Sequence, residues 1–179
     1  MRQLSLEDVA RLALAYWTRD DAITMVAIAG AESAYIEDRP SSTDRIGMPD
    51  DQDAWRPYAC QGVYSWGLWQ VFMPVHRYLL QEASGSTDPC TWRDYLCDGA
   101  HNAYIAYRIW LSQGFGAWYT YNVGAHKRFL VDATMAVDEV LARPKPAPPP
   151  VPPAGGAPPL TAVAPPSAAV APPAAQPPP

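Results

Sequence analysis

One carboxylate sits where a carboxylate is costly. Read as a helix, the stretch Asp21 to Tyr35 (DAITMVAIAGAESAY) puts Met25, Ile28, Ala29 and Glu32 on one face, because side chains three and four positions apart lie above one another. Three of the four are apolar. A Glu on a core-facing stripe loses hydration, which lifts its pKa toward the range of a general acid. A second store of carboxylates follows in Glu37 to Tyr58, which carries Asp38, Asp44, Asp50, Asp51 and Asp53. Asp50-Asp51-Gln52-Asp53 has the ligand type for Ca²⁺ but lacks the central Gly turn and distal Glu of an EF-hand, so it reads as a solvated loop. His76, His101 and His126 lack metal-ligand spacing. No P-loop, dinucleotide fingerprint or Gly-x-Ser-x-Gly elbow occurs, and neither a cofactor nor a metal is expected.

The elements that must position Glu32 are mostly helical. Ser5 is placed to cap a first helix through Trp17, with Asp8 at the capping-box position and Leu4 and Val9 as a staple. Asp20 or Asp21 opens the helix carrying Glu32. Glu37 to Tyr58 has no periodicity and reads as a long loop, with a turn of strand near Tyr58 to Val63. Pro74 starts a third helix to about Gln81, Asp88 to Leu96 a short one, and Asp98 a long one, His101 to Gln113. That helix turns Ala103, Ala106, Tyr107, Trp110 and Leu111 inward and stops at Gly114. An aromatic turn and a last helix, about Ala125 to Leu141, follow.

From Pro144 onward 16 of 36 residues are Pro. Proline fixes φ and removes donors, so 144–179 is expected to be a disordered, polyproline II-like spacer behind a single domain, 1–143. The net charge of −5 argues against a nucleic-acid partner. No apolar run is long enough to insert in a membrane, and Glu7, Asp8 and Arg11 interrupt any leader-like core at the N-terminus, so no signal peptide is expected. Cys60, Cys90 and Cys97 are odd in number. Cys90 and Cys97 can pair only if the chain turns between them, and buried thiols are at least as good a reading.

Four short motifs line up with compatible spacing: Ala31-Glu32-Ser33, Ser65-Trp66-Gly67-Leu68-Trp69-Gln70-Val71, Asn102-Ala103-Tyr104 and Thr120-Tyr121-Asn122-Val123-Gly124. Together they resemble the lysozyme-like lytic transglycosylases (the soluble lytic transglycosylase catalytic domain), closest to versions in actinobacterial and bacteriophage wall-degrading proteins. The resemblance covers roughly residues 5 to 135. It implies a mainly α, lysozyme-like domain of the goose-lysozyme and lytic transglycosylase type with a long loop. It implies Glu32 as the single catalytic acid/base, Tyr121 as the aromatic hydroxyl beside it, and Ser65, Trp69, Gln70, Asn102 and Asn122 as substrate-binding residues. Trp66 and Trp69 depart from the family's smaller Tyr or Met, and Thr120 stands where the family has Ala.

The activity so implied is cleavage of the β-1,4 bond between N-acetylmuramic acid and N-acetylglucosamine in peptidoglycan, with the sugar's own 6-hydroxyl attacking and an anhydro end as product. Inverting hydrolysis is the alternative, and it needs a loop Asp about 6.5–9.5 Å from Glu32 to hold a water. Trp66, Trp69, Trp110, Trp118, Tyr119 and Tyr121 offer flat faces for sugars, although Trp110 and Trp118 read better as core. A non-catalytic alternative is a wall-binding or structural module of a phage virion, its tail contacting other virion or envelope proteins. Action is expected at the bacterial wall, from a virion or after release.

Overall fold

The described residues form seven α-helices and a small antiparallel hairpin. The computed structural model describes residues 1–143, and Met1–Pro144 forms one compact unit. The expected proline-rich spacer, 144–179, lies outside the described residues. The helices are α1 (Leu6–Leu14), α2 (Arg19–Ser33), α3 (Met73–Ser84), α4 (Pro89–Leu96), α5 (Gly99–Gln113), α6 (Tyr119–Asn122) and α7 (Leu130–Ala142). The hairpin pairs β1 (Ser65–Trp66) with β2 (Val71–Phe72), Ser65 opposite Phe72 and Trp66 opposite Val71. The chain is mainly helical, as its patterning led one to expect. No helix among the described residues is long and apolar enough to cross a membrane.

Helix ends follow local chemistry. Ser5 and Asp8 form a reciprocal capping box on α1. Thr18, two or three residues before the expected Asp, caps α2. Asp88 and Asp98 cap α4 and α5 through their carboxylates. Each satisfies amides that the first turn leaves without partners. The last helix differs from expectation: Ala125–Phe129 is a 3₁₀ turn, and α-geometry begins only at Leu130. Leu111, expected inside, is 58% exposed.

The central element is α2. Residues Ala22, Ile23 and Met25 through Gly30 are buried, so apolar atoms surround the helix on every side. A helix of that kind belongs in the middle of a core. It packs against α1, α6, α7 and the Ala125–Phe129 turn. Its far end turns sharply, with Ala34 at φ 53° and Tyr35 at φ 63°. Tyr35 folds back over Gly30, where a Cβ would meet the phenol oxygen at 2.5 Å.

The Glu37–Tyr58 segment is more organised than a free loop. Isolated antiparallel bridges join Pro40 to Trp66 and Arg45 to Val63, so 40–45 lies alongside the hairpin. Asp53–Tyr58 forms a 3₁₀ helix. Two of the acids there are occupied: Asp51 accepts from Gly47 N, Arg56 and the Tyr64 hydroxyl, and Asp53 pairs with Arg56. Glu37 is buried and accepts from Gly99 N at 2.7 Å, at the start of α5.

Cys60 and Cys90 form a disulfide, which ties the turn before the hairpin to the start of α4; Cys97 is free. The alternative pairing of Cys90 with Cys97 is not formed: Cys90 lies in the first turn of α4 and Cys97 just past its end. Burial pushes the Cys97 thiol up to about 11.

Candidate active site

Glu32 lies in the last turn of α2, at a cleft of about 260 Å³. Burial is the main cause of a pKa raised above the ordinary carboxyl value, and the charge of Asp44 adds to it. The negative end of the α2 dipole acts in the same sense. Opposing them, the Thr120 hydroxyl donates to Glu32 Oε1 at 2.7 Å, which favours the ionised form. Hydrogen bonds to a carboxylate stabilise charge while desolvation penalises it. Desolvation is the larger here, and the product is an acid held in one orientation with its proton retained to higher pH.

Two tryptophans set that geometry. Trp69 Nε1 donates to Met25 O in α2 at 2.9 Å, and Trp118 Nε1 donates to Trp69 O at 2.9 Å. Trp118 immediately precedes α6, which carries Thr120. The relay from α2 through the hairpin to α6 therefore returns to α2 at Glu32. Both indoles are buried, and every link is a satisfied donor, which makes the loop stiff.

Asn102 holds the hairpin from beneath. It accepts from Trp69 N at 3.0 Å and donates to Leu96 O at 3.0 Å and Trp66 O at 3.2 Å. Gly67, at φ 88°, leaves room for it; a Cβ there would sit 2.1 Å from Asn102 Nδ2. Gln70, at φ 47°, donates through Nε2 to Arg39 O and Gly67 O, each at 2.9 Å. The turn that resembled a sugar-binding motif is thus first a backbone clamp.

The cleft rim is the Arg39–Asp44 segment. Ser41 N donates to Ser65 O at 2.9 Å, and Ser41 Oγ accepts from Thr43 N and Asp44 N. Tyr64 N donates to Asp44 O at 2.8 Å, and the Ser65 hydroxyl donates to Asp44 Oδ2 at 2.5 Å. Of the five loop aspartates, Asp44 is the one lining the cleft with Glu32. Asp38 pairs with the amino terminus and Arg2 N instead.

The expected site residues divide. Glu32, Ser65, Trp69 and Gln70 line the cleft. Trp69 contributes a wall and not a platform, since its ring is fully buried. Asn102 is also fully buried and spent on the hairpin, so it does not line the cleft. Asn122 is exposed and donates to Gly116 O. Tyr121 is not among the residues lining the cleft; its ring stacks between Phe115, at 5.2 Å, and His126, at 4.6 Å. Successive helical residues point about 100° apart, and the position facing Glu32 is Thr120. Trp66 is buried under the Arg93 guanidinium. Tyr119, 75% exposed at the cleft mouth, is the aromatic face open to a ligand.

Two lining residues, Arg39 and His76, had no signal of their own in the sequence. His76 interrupts α3 with φ −97° and ψ 15°, and burial lowers its pKa to about 4. It therefore faces the cleft as a neutral imidazole, able to donate and accept at once. Thr120 was visible only as a departure from the family pattern. No family profile, curated protein or solved structure matches the chain.

Proposed function

We propose that this chain cleaves the β-1,4 bond between N-acetylmuramic acid and N-acetylglucosamine in peptidoglycan, by lytic transglycosylation, within a lysozyme-like domain. The observation that carries the reading is a desolvated Glu32, its proton retained and its orientation held by Thr120, at the side of an open polar cleft. The four ordered motifs around it support the same reading.

Cleavage begins with a protonated Glu32 donating to the glycosidic oxygen as that bond breaks. The N-acetyl oxygen of the substrate supports the electron-poor anomeric carbon. The sugar's 6-hydroxyl then attacks that carbon and gives its proton to the Glu32 carboxylate, which restores the acid. No water is consumed and the product ends in an anhydro ring. Tyr119 at the mouth suits stacking on a sugar face, and His76 suits bonding to its hydroxyls.

Asp44 favours a second reading, inverting hydrolysis. It shares the cleft with Glu32, and Ser65 holds one of its oxygens, so a water activated there would attack in place of the 6-hydroxyl. Mass spectrometry of the soluble muropeptides separates the two. Anhydro ends are expected, reducing ends would assign hydrolysis, and no release by the wild-type protein would overturn both in favour of a non-catalytic wall-binding role.

A further inference from the structure

Arg39 lines the same cleft as Glu32, and its backbone is fixed while its side chain is not spent. Its carbonyl accepts from Gly67 N and Gln70 Nε2, each at 2.9 Å. Pro40, next in the chain, restricts the backbone and bridges to Trp66. The guanidinium pairs with no carboxylate among the described residues. The acids that could quench it are held elsewhere: Asp38 by the amino terminus and Arg2 N, Asp44 by Ser65.

In a chain of net charge −5, an unpaired cation on a rigid rim is a recognition element. Its planar fork matches a carboxylate by two parallel hydrogen bonds. The adjoining rim residues Ser42 and Thr43 are neutral and exposed. Given the proposed peptidoglycan substrate, on which this step rests, we infer that Arg39 reads a carboxylate carried by the glycan strand and sets a preference for charged over neutral strands. That carboxylate has two sources in the polymer. One is the lactyl group of muramic acid, free where no peptide is attached. The other is the stem peptide.

Four substrates test this with the full chain: peptide-bearing strands and amidase-stripped strands, each native and after carbodiimide amidation. Amidation is expected to raise the wild-type KM about tenfold on the strand type whose carboxylate is read, with little change in kcat, as for loss of one charged hydrogen-bond pair. R39Q should show that raised KM on native strands already and should respond little to amidation. R39K should fall between them, and a thermal melt of each variant guards against misfolding. An effect on stripped strands assigns the lactyl carboxylate, and one on peptide-bearing strands alone assigns the stem peptide. If R39Q responds to amidation as the wild type does, the inference is wrong. If the wild type releases nothing, the enzymatic reading fails. Co-sedimentation of both proteins with the same four materials then decides the Arg39 inference separately, by the same tenfold criterion.

Discussion

The Thr120 hydroxyl meets Glu32 Oε1 at 2.7 Å across 88 positions of sequence. This contact favours the ionised carboxylate, so removing it should push the acid's pKa further up. In T120V the alkaline limb of the pH profile of kcat/KM is expected to move to higher pH, because the protonated acid survives longer. Y121F should leave the limb where it is, since Tyr121 stacks on Phe115 and His126. A shift in Y121F with none in T120V would reverse the assignment.

The Asp44 charge acts in the opposite direction, raising the Glu32 pKa. D44N should therefore move the same limb to lower pH. Under transglycosylation it should keep anhydro products and cost less than about tenfold in kcat, whereas loss of a general base costs about 10²–10⁴. Titrating activity and products together checks both.

E32Q should lower strand cleavage at least about a hundredfold, the ordinary scale for a general acid. It should also raise stability in a definite window. The fold raises the Glu32 pKa above its unfolded value, so the stabilising contribution is complete below the unfolded pKa and is lost as pH rises through the folded one. Urea midpoints of E32Q and wild type should coincide in acid and separate toward neutral and higher pH, the variant being more stable. A less stable variant at pH 8 would contradict the burial argument.

N102A removes an amide that makes three buried hydrogen bonds beneath the hairpin. Leaving their partners unsatisfied should cost about 2–4 kcal/mol in denaturant unfolding. Because Asn102 does not line the cleft, KM of the folded fraction should hold. A raised KM with unchanged stability would return Asn102 to the substrate.

Helix ends were legible because caps are local: Ser5 with Asp8, and Asp98 with the two amides that follow, act within one turn. Glu32 was legible too, as a polar interruption of an apolar run. What escaped is non-local. Thr120 and Tyr121 are neighbours in sequence, and only the docking of α6 through Trp118 onto Trp69 decides which one faces the acid. Asp44 is one of five similar residues, selected by bridges to the hairpin that no periodicity announces. Cys60 and Cys90 lie 30 residues apart, and only the fold brings them together. His76 reaches the cleft through a break in α3 that the Pro74 start did not foretell.

The Cys60–Cys90 link encloses the hairpin, Gln70 and the kinked start of α3, one whole wall of the cleft, whereas the helix bearing the acid lies outside it. Closing a loop of that length restricts the unfolded chain by about 3–4 kcal/mol. The two sides thus draw on different resources: α2 on hydrophobic burial, the opposite wall on a covalent link as well. Reducing that link is therefore expected to loosen the wall before it disturbs the helix that bears the acid.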